Sequence, residues 1–319
     1  MELAKDKESE MARSNFDTPS PIAVTLDLYV ADVRLAAADR ADTIVEVRPS
    51  DPGKAADVKA AENTRVEYDA AARTLSVTSR KPRSRFVNFS GKRPESIDLL
   101  IQLPAGSDVR GEADLGDFQS DGALGTVTLR TDLGAVHLAE TGPLNLRNGA
   151  GAITVEAVTG PAEVHASSGN IQLGAIDGTA DVSSSNGKVL VGAVTGTATV
   201  KGSNGSVSVD RALSGITAVS ANGEVRIGEV VRGTVSATSK NGSVEVGVRE
   251  GSAAFVRLNT AVGRVYNELA SADAPQAGEQ AGEQAGERAG ERADTVEVHA
   301  STKLGDVTIR RAPRTNEEA

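Results

Sequence analysis

Three histidines, His137, His165 and His299, are the chain's whole supply of imidazole, so any nitrogen-ligated metal or histidine acid–base chemistry has to use them. Such chemistry needs ligands that converge, or a titratable pair within hydrogen-bond reach. His137 and His165 fall on different strands of different repeat units, and none of the three sits in a ligand spacing such as His-Glu-x-x-His. They read as solvent-facing strand residues. The carboxylates Glu156, Glu163, Asp181, Asp210, Glu224 and Glu245 scatter over different positions of the repeat, whereas polysaccharide cleavage needs several to meet on one face. With no cysteine among 319 residues, disulfides, Cys-ligated zinc, iron–sulfur clusters and thiol catalysis are excluded. The calcium repeat GGxGxDxUx and a regular Thr-x-Thr column are both absent. This reading is of a non-enzyme with no catalytic residues, no metal and no cofactor.

One stretch departs from the acidic background. Ser79 to Arg93, SRKPRSRFVNFSGKR, carries Arg80, Lys81, Arg83, Arg85, Lys92 and Arg93 with Phe86 and Phe89 between them. It is a candidate contact loop for phosphate, anionic lipid or an acidic partner; the structural alternative is a basic loop whose phenylalanines pack back onto the body. The net charge of -10 argues against general polyanion binding, so no nucleic-acid partner is expected.

No run approaches the roughly 18 apolar residues of a membrane span, and MELAKDKESEMARSNFDTPS contains no apolar secretory core. The expected address is the cytoplasm. Residues 1–14 are expected to be disordered, and Met11 is a second possible start.

The elements that would position these groups follow from an internal repeat. Gly116, Gly134, Gly151, Gly169, Gly187, Gly205, Gly223 and Gly242 are separated by 18, 17, 18, 18, 18, 18 and 19 residues. Two and four residues after each lie apolar side chains, as in Val189 and Val191 or Val225 and Ile227, with Ser120 as the exception. Seven and five residues before the next anchor lies a second apolar pair, as in Ala198 and Val200. Alternation at period two marks a strand with one buried face, and a one-residue slip would turn every apolar group to water. Each repeat is thus two short strands, with a second glycine corner between them at Gly125, Gly142, Gly160, Gly178, Gly196, Gly215, Gly233 and Gly251.

Before the anchor stand Asn186, Asn204, Asn222 and Asn241, paired with Gly187, Gly205, Gly223 and Gly242. These are read as structural corners, because Asn and Gly tolerate a left-handed backbone. Two architectures fit. One is a long antiparallel meander, for which Asn-Gly is a strong hairpin signal. The other is an all-β β-solenoid with coils of about 18 residues stacked at strand spacing. A third apolar residue before the second glycine (Val158, Ile176, Val194, Val230) and the lack of helices to cover a meander favour the solenoid.

The flanks are less regular. Residues 15–112 alternate as strands with uneven loops, in IAVTLDLYV, TIVEV, TLSVT and SIDLLIQLP, and read as irregular opening coils that cap the stack. The regular coils occupy 113–267; 268–294, with four tandem AGE(Q/R) units, is a low-complexity loop. A closing coil follows at 295–311, then a tail at 312–319. Caps at both ends predict no filament, and a monomer or small oligomer.

With these residues in place, the chain resembles a bacterial family of tandem β-strand-repeat proteins, a domain of unknown function labelled "putative adhesin". The resemblance is carried by FDTPSPIAVTLDLYVADVRLAAADR, TIVEVRPSDP, IDLLIQLPAGSDVRGEADLGDF, SSGNIQLGAIDG, ANGEVRIGEVVRG and LGDVTIRR, spanning about Asn15 to Arg311. It implies a β-helix-like fold and brings no catalytic residues. The function expected is a scaffold or interaction module for an unknown protein partner. The alternatives are an adhesin or polysaccharide-binding surface module, and a carbohydrate-active enzyme on the solenoid face.

Overall fold

The structure is a computed structural model that describes residues 12–79, 95–269 and 295–312. It divides into two compact units, Met1–Lys188 and Val189–Ala319, each a β-solenoid.

In the first unit the elements are β1 (Ala12–Asp17), β2 (Ala23–Ala38), β3 (Asp42–Pro49), α1 (Ala55–Asn63), β4 (Arg65–Asp69), β5 (Thr74–Thr78), β6 (Ile97–Pro104), β7 (Asp108–Leu115) and β8 (Phe118–Leu124). Then come β9 (Val127–Leu133), β10 (Val136–Thr141), β11 (Leu144–Ala150), β12 (Ile153–Thr159), β13 (Ala162–Ser168), β14 (Ile171–Asp177) and β15 (Ala180–Asn186). Strands β7, β9, β11, β13 and β15 pair in parallel as a back wall, and β8, β10, β12 and β14 pair in parallel as a front wall. Each strand of these two walls from β7 to β15 pairs with the next but one, which is coil on coil; a meander would pair consecutive strands antiparallel. The apolar alternation turns Val127, Leu129, Leu144, Leu146 and Val164 inward, all 3% exposed or less, against Phe118, Val136, Leu138, Ile153 and Ile171 of the front wall.

The opening is built differently from a run of coils. β2 is 16 residues long and serves both walls: Ala23–Asp27 pair in parallel with β5 and with β7 in the back wall, and Ala31–Ala38 with β6 in the front, where Val33–Ala36 also pair with β8. The coil made by β5 and β6 therefore lies on one side of β2 and the coil made by β7 and β8 on the other. Beyond it the edges are finished by antiparallel strands, β3 on β6, β1 on β3 and β4 on β5. Helix α1 lies against β3 and β6. Its run AADVKAAEN is alanine-rich, which favours helix. Asp57, 2% exposed, ties it down by accepting from Lys54 Nζ at 2.7 Å and from the Ser96 amide at 3.1 Å.

The second unit holds β16 (Val189–Val194), β17 (Ala198–Asn204), β18 (Val207–Ala212), β19 (Ile216–Asn222), β20 (Val225–Val230), β21 (Gly233–Asn241), β22 (Val244–Val248), β23 (Ala253–Val262), β24 (Val265–Asn267), β25 (Thr295–Leu304) and β26 (Val307–Arg311). Its back wall runs β17, β19, β21, β25, β23 and its front wall β16, β18, β20, β22, β26, β24, all parallel. The segment expected to close the stack thus does not lie last. β25 and β26 are inserted between the β21–β22 coil and the β23–β24 coil, which the chain lays down one position ahead.

Two hydrogen-bond columns hold these coils together. Inside, at the third residue before each anchor glycine, Ser220 donates to the Gly205 carbonyl at 2.9 Å, Ser239 to Gly223 at 2.9 Å, Thr302 to Gly242 at 2.8 Å and Thr260 to Gly305 at 2.9 Å. Each link reaches the anchor of the coil before it in space, inserted coil included. Outside, Asn222 donates to Asn204 Oδ1 at 2.9 Å and Asn241 to Asn222 Oδ1 at 2.7 Å. In the first unit Asn186 donates to the Ser167 carbonyl at 3.3 Å.

The left-handed backbone at these corners belongs to the glycines alone. Gly187, Gly205, Gly223 and Gly242 have φ of 133°, 151°, 156° and 149°, while Arg73 is the one non-glycine residue with positive φ among the described residues. The asparagines serve the corner through their side chains. At Gly242 a Cβ would stand 2.3 Å from the Gly223 carbonyl oxygen, so close stacking of coil on coil demands glycine as much as the backbone angle does.

Candidate functional site

On the outer face of the first unit's back wall, period two places Glu163 and His165 side by side on β13. The register sets Asn145 and Arg147 of β11 on one flank and Asp181 and Ser183 of β15 on the other. The side chains join into one network. His165 meets Ser183 Oγ with Nδ1 at 2.6 Å and Glu163 Oε1 with Nε2 at 2.9 Å. Glu163 also accepts from Asn145 Nδ2 at 2.9 Å and Arg147 Nη2 at 3.3 Å. The hydrogen bond from His165 leads the causes that hold the Glu163 carboxyl below its usual range; slight burial opposes, and the charges of His165 and Arg147 add to the lowering. Because a carboxylate only accepts, the ring presents a proton at Nε2 to Glu163, while the roles in the Nδ1–Ser183 contact follow from the tautomer of the ring.

Serine, histidine and carboxylate in hydrogen-bonded series is the ordering of a nucleophile relay. The setting differs from one that performs it. His165 and Glu163 side chains are 36% and 42% exposed, and β13 and β15 are committed to the parallel ladder. Acyl transfer also needs donors aimed at the developing oxyanion, and the donors that the network holds, Asn145 and Arg147, are turned to Glu163. The cluster is a part-exposed, hydrogen-bonded set of donors and acceptors.

The other histidines carry partners as well. His299 Nε2 lies 3.0 Å from Glu297 Oε1, and His137 Nε2 lies 3.7 Å from Glu156 Oε1. The expectation of plain solvent-facing histidines missed these pairs. For His165 and His299 the signal is Glu-x-His, two residues apart on one strand face.

In the second unit Glu229, 9% exposed, bridges Arg211 at 2.8 Å and Arg249 at 2.7 Å. Burial pushes its carboxyl up, but hydrogen bonds from Arg249 and Arg211 and their charges outweigh it and hold it below the ordinary range. Glu245 meets Arg310 at 2.7 Å and Arg226 at 3.9 Å. Asp181, Asp210 and Glu224 are exposed. Among the described residues no group of three or more His, Asp or Glu is placed to hold a metal ion, and no helix is long and apolar enough to cross a membrane. The basic stretch with Arg80, Lys81, Arg83, Arg85, Lys92 and Arg93 lies outside the described residues.

Comparison with solved structures finds a "putative adhesin" from Bacteroides fragilis, 11% identical over 94% of this chain and 97% of that one, with a TM-score of 0.37. Another "putative adhesin", from Parabacteroides distasonis, is 12% identical over 94% and 98%, with a TM-score of 0.39. A "putative lipid binding protein" from the same organism is 13% identical over 95% and 97%, with a TM-score of 0.33. No curated protein matches the chain. The family model Toastrack DUF4097 matches residues 23–310, so that both solenoid units fall almost wholly within it, and the chain belongs to the Toastrack family.

Proposed function

We propose that this chain is a non-enzymatic β-solenoid scaffold of the cytoplasm, which offers the outer back-wall face of its first unit to a protein partner. The observation that carries the reading is the network of Asn145, Arg147, Glu163, His165 and Ser183, joined across three coils. Its side chains are already held in one arrangement, so a partner does not have to freeze them on binding. The face is polar and flat, which suits a protein surface with complementary charges better than a small molecule that needs a concave pocket.

The test is affinity capture from the native cell lysate with the wild-type chain and with the double variant Arg147→Glu, Glu163→Lys. A partner enriched on the first and lost on the second supports the reading; partners retained equally by both, or none on either, count against it. Cell fractionation separates it from an exported adhesin or polysaccharide-binding module, since protein found at the cell surface removes the cytoplasmic scaffold.

A further inference from the structure

The second unit's back wall turns every other residue away from the core. On that outer side Lys240 of β21 stands beside Lys303 of β25, since Ser239 pairs with Thr302 and Asn241 with Leu304 on either side of them. Arg257 of β23 lies in register with His299 of β25, and Lys201 of β17 with Val219 of β19. All four cations are exposed, and none has an ion-pair partner among the described residues. The five strands hold these four cations and a single acid, Glu297, which His299 meets at 3.0 Å. The balance is reversed in the first unit, where β7, β9, β11, β13 and β15 hold six acids and three arginines. A basic wall in a chain of net charge -10 is a local arrangement. Like charges in register on neighbouring strands cost stability, so folding gains nothing from Lys240 beside Lys303, while a bound anion would relieve their repulsion.

We propose that this face docks on an anionic membrane surface. Two features select the occupant. The cations are spread from β17 to β23, about 19 Å across the wall at about 4.8 Å per strand. A single acidic peptide laid along one line would leave some of them unmet, whereas a plane of anionic headgroups meets them all. Apolar side chains also stand among them. Phe255, turned outward on β23 as Arg257 is, and Leu304, next to Lys303, are 68% and 52% exposed. An acidic protein surface has no use for them, while beside lysines they sink into the headgroup layer.

The chain's overall negative charge does not prevent this contact. At physiological ionic strength exposed charges more than about 8 Å apart are largely screened, so at the surface the wall's own cations decide the sign of the interaction. Binding by so few charges is reversible and weakens as salt rises.

Flotation of the full chain with vesicles of equal parts phosphatidylcholine and phosphatidylglycerol tests the proposal, with pure phosphatidylcholine vesicles as the neutral comparison. The wild type is expected to float with the anionic vesicles and not with the neutral ones. Lys240→Glu combined with Lys303→Glu should lower vesicle affinity about tenfold or more. Arg110→Glu combined with Arg130→Glu changes the net charge by the same amount on the first unit and should leave binding in place. Circular dichroism confirms that each variant is folded. Should the glutamate pair at 240 and 303 unfold, Lys240→Gln combined with Lys303→Gln serves instead and should weaken binding several-fold. A wild type that does not float with the anionic vesicles overturns the proposal. So does an equal loss from both charge-reversed pairs, or undiminished binding when Lys240 and Lys303 are replaced. A chain that ignores the vesicles but is retained by immobilised polyglutamate recognises acidic protein, and that outcome overturns it too.

Discussion

Asn241 donates a hydrogen bond from its side-chain amide to Oδ1 of Asn222 at 2.7 Å, tying one coil to the next on the solvent side of the corner. Asn222 passes the link on to Asn204, so its replacement breaks two bonds at once. Asn222→Ala is expected to lower stability by about 1 kcal/mol, because both bonds are exposed and compete with water. Ser239→Ala breaks one bond, to Gly223, at a site 1% exposed, and leaves a part-buried carbonyl without it; about 1–2 kcal/mol is expected. Urea unfolding of both variants checks this, and a Ser239→Ala change within error of zero would remove the inner column as a source of stability.

Gly242→Ala should be far more damaging than either. The residue has φ of 149° and a Cβ there would meet the Gly223 carbonyl oxygen at 2.3 Å. A loss of at least about 2 kcal/mol is expected, read as a fall in the denaturant midpoint. Full stability in this variant would contradict the stacking of anchor on anchor.

Glu229 makes stability depend on pH. Its folded carboxyl lies below the ordinary value of 4.5, so the unfolded chain takes up the proton first as pH falls. The stabilisation is therefore complete above the unfolded value and is lost as pH drops through the lower folded one. Glu229→Gln should flatten the stability profile in that acidic range and cost about 2–3 kcal/mol at neutral pH, where Arg211 and Arg249 lose their shared counter-charge. Thermal melts from pH 7 down to about pH 3 compare the two chains across the ordinary carboxylate range. Parallel profiles would show that Glu229 is not the group responsible.

Ser183 should not behave as a catalytic nucleophile, although His165 stands 2.6 Å from its hydroxyl. A fluorophosphonate probe is expected to leave it unlabelled at a concentration that labels a serine hydrolase fully, since the His165 and Glu163 side chains beside it are 36% and 42% exposed on an open strand face. Mass-spectrometric detection of the adduct on Ser183 would restore an enzymatic reading of this face.

The coil architecture was legible because its physical cause is local and repeated. Each coil needs a glycine with positive φ where backbone stacks on backbone, and an apolar residue at every second position after it; Gly169 with Ile171 and Leu173 states both within five residues. Spatial order was not legible where the chain departs from succession. Nothing in TVEVHA says that it will slide between Val235 and Val256, because any coil of this pattern fits beside any other. Helix α1 escaped notice because it is a short insertion among strands. The Glu163 and His165 pair was readable from their spacing, but Ser183, Asn145 and Arg147 join it only through a register that the period sets across 16 to 18 residues.

The displaced coil has a consequence for how the molecule comes into being. A stack built in chain order could grow as synthesis proceeds, each turn settling on the one just finished. Ala253–Asn267 cannot do so, because the strands on which it rests end at Leu304 and Arg311. It must wait without a seat, or occupy the neighbouring place and later yield it, until Leu304 and Arg311 have emerged from the ribosome.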